Sequence, residues 1–416
     1  MYLAVLGRQS EISIAELEAV TGVNWHQLSF SGRVAAARRH GGGALNLALP
    51  GSEIPSKDNM MPFDIYRFGG VQKLAIRLGE KPLEYLMGLP EGKLTIGVSD
   101  YSKKASRKTA TTEALKLKRI LVKNGRSVRV VENKEAVLST ATSLHNGLSG
   151  KNERKVELIK VDNDWYKVIG VQDIDAYAKR DQARPARDAK VGMLPPKLAQ
   201  ILINLCGPLK PGSIILDPFC GTGVVLQEAL LMGYRAYGTD LNEKMIEYSS
   251  KNLKWLSEKY IFSGTRVAPS RRHGRSALIL GRNLRNVPEN SILSLNQADA
   301  TSFQWKQPID AVACEGYLGK PMSKIPTEMT LKEQKQECGA IVLGFLKNLV
   351  GQIKNDTPVV IAVPAWLRED GTYSRLNILD EIDKLGYNVN NKSREGLIYS
   401  REKQIVARDI LILRKK

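Results

Sequence analysis

From Ser213 to Asp240 the chain reads SIILDPFCGTGVVLQEALLMGYRAYGTD, and few folds accept residues in that order. An apolar strand, SIILD, ends on an acid at Asp217. A turn through Pro218, Phe219 and Cys220 then passes Gly221-Thr222-Gly223 into an apolar helix that runs to Met232, and a second strand, RAYGTD, ends on Asp240. Glycines at the mouth of a helix let a ligand approach the unbonded backbone N–H groups there. The spacing is not the G-x-G-x-x-G of dinucleotide sites, because Pro-Phe-Cys fills its first half. A strand–helix–strand unit of this kind demands a sheet with a parallel core and helices on its faces.

The C-terminal half keeps the same rhythm. A helix over Pro196–Leu205 opens it, and a second helix runs to Trp255. Strands at 291–299 and 310–315 follow, then a helix near 331–354, the strand PVVIAVP at 358–364, a helix near 374–385 and the strand ARDILILRK at 407–415. The pattern predicts a doubly wound α/β domain over 196–416. Residues 257–290 interrupt it. They are rich in arginine and read as a loop that touches RNA or stays unstructured.

Upstream, residues 2–6, 93–101, 127–132, 156–161 and 165–172 read as strands, while 11–20 and Thr109–Asn124 carry helical spacing. Residues 35–60 read as loop. Together these predict an α+β N-terminal region. The charged, proline-bearing stretch 173–195 reads as a linker that carries function.

The strand-final acids point to chemistry. A carboxylate beside backbone N–H groups suits the amino-acid end of S-adenosylmethionine (SAM). Asp240, closing the next strand, is placed for ribose hydroxyls. Asp299, closing SILSLNQAD, is placed for the adenine amine. Each acid alone also serves as a helix cap, but three in register at the carboxyl edge favour a cofactor site. The candidate SAM contacts are Asp217, Phe219, Cys220, Gly221, Thr222, Gly223, Asp240, Leu241, Asp299 and Ala300.

The charge narrows the partner. With 62 Lys and Arg against 43 Asp and Glu, the chain carries +19, which favours a polyanion such as RNA or DNA. No apolar run approaches the length of a membrane span, and the N-terminus lacks the pattern of a signal peptide. The four cysteines and four histidines are scattered, so neither a metal site nor a disulfide framework is expected, and a reducing cytoplasm fits.

The fourth strand end of the series is AVACEGYLGKP, residues 311–321. Amino-group methyltransferases carry Asp/Asn-Pro-Pro-Tyr/Phe at that place. There the acid or amide accepts hydrogen bonds from an exocyclic amine, aiming its lone pair at the methyl group, and the ring stacks on the base. Here the four positions are Cys314-Glu315-Gly316-Tyr317, with the acid one residue late and neither proline present. The expected catalytic set is Glu315 orienting the amine, Tyr317 stacking on the base, and Cys314 at the acid's usual position.

Three stretches together resemble the THUMP-domain tRNA guanine-N2-methyltransferases, which modify guanine at position 10 of tRNA. They are DPFCGTG (217–223), RDQARPARDAKVGMLPPKLAQILINL (180–205), and the N-terminal YLAVLGRQSEISIAELEAV (2–20) with RFGGVQKLAIRL (67–78). The resemblance implies a Rossmann-like SAM methyltransferase domain at 196–416. Ahead of it would stand a ferredoxin-like domain at 1–90, a THUMP-like RNA-binding domain at 91–172 and the linker 173–195.

It further implies tRNA as substrate, with a small activating protein subunit in some relatives. Of the basic residues between 101 and 129, Arg107, Lys108, Lys116, Arg119, Lys123 and Arg126 are candidates for RNA contact. In the linker, Arg180, Arg184 and Arg187 are candidates as well, although ion pairs with Asp181 and Asp188 are the simpler reading. Two alternatives stand beside this one: a SAM-fold tRNA-binding protein with altered catalysis, and a DNA amino-methyltransferase.

Overall fold

A computed structural model describes residues 1–28, 33–37, 64–188, 193–261, 291–390, 396–402 and 404–416. The described residues up to Asp175 form one compact unit, and those from Ala176 to Lys416 form a second.

The first unit is built on one eight-stranded sheet. Its strands are β1 (Tyr2–Leu6), β2 (His26–Gln27), β3 (Val34–Ala37), β4 (Val71–Gly79), β5 (Leu94–Asp100), β6 (Val128–Val130), β7 (Lys155–Val161) and β8 (Asp164–Val171), in the order β2-β3-β1-β4-β8-β7-β5-β6. The stretches 1–90 and 91–172, expected as two domains, contribute to the same sheet. β4 pairs β8 antiparallel from Lys73 to Gly79, so the two stretches share a single ladder. Residues 35–37, read from sequence as loop, belong to β3, and 38–60 lie outside the described residues.

Helices α1 (Ser10–Thr21), α2 (Pro82–Met87), α3 (Arg107–Lys123) and α4 (Thr140–His145) join this sheet. α3 starts at a reciprocal capping box between Ser106 and Thr109. It buries Ala114, Leu117 and Leu121 against Ile96, Val98, Val128 and Val156. Its charged face is thereby left outward, with Lys108, Lys116, Arg119 and Lys123 exposed. Inside the sheet lies a fully buried pair, Lys73 Nζ to Glu157 Oε1 at 2.5 Å.

The expected linker opens as helix α5 (Ile174–Gln182). In the second unit follow α6 (Pro196–Leu205), β9 (Ile214–Asp217), α7 (Val224–Leu231), β10 (Arg235–Asp240), α8 (Glu243–Leu256), β11 (Ile292–Gln297) and β12 (Ala311–Glu315). The chain continues through α9 (Glu328–Leu349), β13 (Pro358–Leu367), β14 (Tyr373–Ser374), α10 (Leu379–Lys384), β15 (Tyr387–Val389), β16 (Ile398–Tyr399) and β17 (Val406–Lys415). The expected helix near 374–385 is thus confined to α10. Of the arginine-rich insertion, residues 262–290 lie outside the described residues.

The strand order is β11-β10-β9-β12-β13-β17-β15. β11 through β13 run parallel, and β17 enters antiparallel between β13 and β15. α7 and α8 bury Leu226, Leu230, Leu253 and Leu256 on one face. α9 buries Val342, Phe345 and Leu346 on the other. A parallel strand covered on both faces must be apolar throughout, and Val359–Val363 in β13 are buried without interruption. The order reverses between β9 and β12, which places the ligand cleft of such a sheet at their carboxyl ends.

Candidate active site

Four carboxylates arrive at that edge: Asp217 at the end of β9, Asp240 at the end of β10, Asp299 just beyond β11, and Glu315 at the end of β12. Between β9 and α7 the glycine loop turns through positive φ at Gly221 (+50°) and Gly223 (+79°), a conformation that glycine adopts without cost. A side chain at Gly223 would also bring its Cβ to 2.9 Å from Ser249 Oγ. The loop is braced from α8, where Ser249 Oγ donates to the Gly221 carbonyl at 2.8 Å and Asn252 Nδ2 to that of Thr222 at 2.9 Å. Gly223 gives α7 no side-chain cap, so the first N–H groups of that helix face the cleft without one.

Asp240 braces the glycine loop. Its Oδ2 accepts the Gly221 N–H at 2.8 Å and its Oδ1 the Asn242 N–H at 2.9 Å, tying the glycine loop to the end of β10. Leu241 beside it is 70% exposed, an apolar surface of the kind that a purine ring covers. Asp299 is exposed, and its Oδ1 accepts from both the N–H and the hydroxyl of Thr301, which holds its carboxyl below the usual range. Phe219, Cys220 and Ala300 turn inward. Phe219 packs edge-on against Phe345 at 5.3 Å, and Cys220 and Ala300 are buried, so their side chains are not cleft surface.

Asp217 is buried, and its carboxyl is held well above the usual range by that burial, reinforced by the charges of Asp240 and Glu315. A raised value in the folded state means that the native chain holds the proton more tightly than the unfolded one. Native stability is therefore favoured at acid pH, and that advantage is lost as pH rises through the folded value. Asp217→Asn keeps the acceptor for the Phe219 N–H and removes the charge. It is expected to raise Tm by a few degrees at neutral pH, with the gain shrinking toward about pH 4. Thermal melts at the two pH values check this, and an unchanged Tm at neutral pH would count against it.

At β12 the structure corrects one expectation. Cys314 is wholly buried with Val312 against α9, because alternate residues of a strand share a face. Its thiol is pushed well up by burial, so it is neither acid nor ligand at the cleft. Glu315 is the residue that reaches the edge. Its Oε1 accepts from Arg408 Nε of β17 at 2.7 Å, with only 6% of the Arg408 side chain exposed. The Gly316 N–H donates to the Ala362 carbonyl at 2.9 Å, a bond that proline could not make. The ladder thus runs one residue further, and the acid arrives one residue later. Gly316 is not at positive φ. Tyr317 is partly buried and hydrogen-bonds Glu337 of α9, while Gln334 Oε1 accepts the Lys320 N–H at 2.8 Å and pins the loop that follows.

Two of the three linker arginines are also corrected. Arg180 is buried in a two-point pair with Glu228 of α7, at 2.7 and 3.2 Å. Arg184 is buried beside Thr222 and Asp181. Neither is available to a phosphate backbone. Arg187 is exposed. In the first unit Arg107 is exposed but paired with Glu132, and Arg126 is spent on the Leu89 and Pro90 carbonyls. Sequence reasoning missed Arg408. Its signal was an Arg-Asp pair at the start of an otherwise apolar strand, ARDILILRK.

A glycine loop at the switch point, acids at successive strand ends and this strand order define a Rossmann-like α/β domain with a ligand cleft at its carboxyl edge. Residues 184–335 match a family described as RMKL-like, methyltransferase domain, and residues 104–251 match one described as DNA methylase. The tRNA (guanine(10)-N2)-dimethyltransferase of Methanothermobacter thermautotrophicus is 47% identical over 76 residues, 18% of this chain and 22% of the relative. That of Methanocaldococcus jannaschii is 29% identical over 158 residues, 37% of this chain and 44% of the relative. The chain therefore spans less than half the length of these curated relatives. A type II methyltransferase, M.MwoI of Methanothermobacter wolfeii, is 35% identical over 97 residues, 22% of this chain and 14% of the relative. Among solved structures, that of TrmN from Thermus thermophilus aligns over 100% of this chain and 99% of its own, with TM-score 0.44 and 17% identity. The two tRNA (guanine(10)-N2)-dimethyltransferases agree with the resemblance read from residues 180–205 and 217–223. No helix among the described residues is long and apolar enough to cross a membrane.

Proposed function

We propose that this chain is a SAM-dependent methyltransferase acting on the exocyclic N2 amine of a guanine in tRNA, of the position-10 type. The observation that carries the reading is Glu315, held by Arg408 at the end of the strand beside the glycine loop. The cleft suits SAM: uncapped N–H groups of α7 for its amino-acid end, Asp240 for the ribose, Leu241 and Asp299 for the adenine. When bound, SAM supplies the electrophilic methyl. Glu315 accepts the N–H of the target amine and turns its lone pair toward that methyl, Tyr317 offers a ring to the base, and Arg408 keeps the carboxylate in place.

In the same reading the first unit is the ferredoxin-like and THUMP module, and Lys108, Lys116, Arg119, Lys123 and Arg187 contact tRNA phosphates. Four buried free cysteines suit a cytoplasmic setting. An activating subunit, if required, would show as transfer that the purified chain performs only with cell extract added.

The match to a DNA methylase family and to M.MwoI favours a second reading, an amino-methyltransferase of duplex DNA. Incubating the chain with methyl-labelled SAM and either tRNA or duplex DNA, then digesting to nucleosides for mass spectrometry, separates the two. N2-methylguanosine is expected. Label in DNA adenine or cytosine would establish the second reading. SAM binding without transfer to either would leave a tRNA-binding protein.

A further inference from the structure

Resting on the SAM reading above, we infer that Arg184 is the counter-ion of the cofactor's methionine carboxylate rather than an RNA contact. Its side chain is 1% exposed, yet its partners are poor for so buried a cation. Nη1 lies 3.5 Å from Thr222 Oγ1, Nη2 lies 3.5 Å from Asp181 Oδ1 and 3.7 Å from Met193 Sδ, and Nε has no hydrogen-bond partner among the described residues. A buried guanidinium satisfied only at long range is costly unless a further anion completes its fork. Burial lowers its proton affinity, as expected of an under-compensated cation.

The neighbourhood says which anion fits. Thr222 sits between the two glycines, one residue before Gly223, where α7 begins without a side-chain cap. A carboxylate placed there takes the helix N–H groups on one side and Arg184 on the other. The strand-end groups Asp217, Asp240 and Glu315 are all acids and offer no counter-charge to a carboxylate. The other buried arginine of the segment, Arg180, is engaged with both oxygens of Glu228.

The test compares two ligands by calorimetry: S-adenosylhomocysteine, which has the amino-acid end, and 5′-methylthioadenosine, which lacks it. Arg184→Met is expected to weaken S-adenosylhomocysteine on the order of 10- to 100-fold and to leave 5′-methylthioadenosine unchanged, and Arg184→Lys is expected to recover part of the loss. An unchanged affinity for S-adenosylhomocysteine would overturn the assignment. So would an equal loss for both ligands, which would make Arg184 a structural support of the loop. If the parent chain bound neither ligand, the SAM reading itself would fall and this inference with it.

Discussion

Glu315→Gln is expected to lower methyl transfer to tRNA by at least about 100-fold, while S-adenosylhomocysteine affinity stays within about twofold of the parent. The amide keeps the shape and one acceptor oxygen but loses the charge that polarises the target amine, and the bond from Arg408 weakens. The SAM contacts proposed above lie in the glycine loop, Arg184, Asp240, Leu241 and Asp299, so cofactor binding has no reason to follow. Single-turnover transfer and calorimetry give the two halves of this result. Full turnover in the variant would remove Glu315 from the chemistry. A parallel loss of cofactor affinity would make it a cleft-shaping residue instead.

Arg408→Met has the larger expected effect on stability. It leaves the Glu315 carboxylate, mostly buried at the edge of β12, without its partner. Removing one member of such a pair costs about 3 kcal/mol, because the survivor stays desolvated and unpaired. Urea denaturation should show a destabilisation of about that size, together with loss of transfer. In the double variant Glu315→Gln with Arg408→Met, the stability loss should shrink, since no stranded charge remains. Strict additivity of the two single variants would show that the pair is not coupled.

The second unit was legible because its local signals agree. Apolar strands ending on Asp217 and Asp240, with glycines between strand and helix, imply the same sheet that the structure builds. What was not legible depends on partners far away in sequence. Arg180 and Arg184 sit in a charged, proline-bearing stretch, where charge normally means solvent. Their burial is decided by Glu228 and Thr222, 48 and 38 residues downstream. Glu315 likewise finds Arg408 93 residues later.

At Cys314 the limit was different. The run Ala311-Val312-Ala313-Cys314 is apolar on both faces, so periodicity does not say which face Cys314 joins until α9 is seen to cover it. In the first unit the strands were mostly visible, but β4 and β8 pair across 86 to 98 residues, and local spacing carries no mark of such pairing.

The hydrogen bond from Gly316 to Ala362 bears on how this edge is compared with other proteins of its kind. Counting residues in the four-residue motif makes the acid misplaced. Counting along the β12–β13 ladder instead places it on the closing rung, opposite Ala362. The meaningful coordinate of this carboxylate is its place relative to the point where its strand stops pairing. On that scale Cys314 is the last wholly buried plank and Glu315 the rung at which the ladder closes. The two missing prolines then accompany a strand whose hydrogen bonding reaches Gly316.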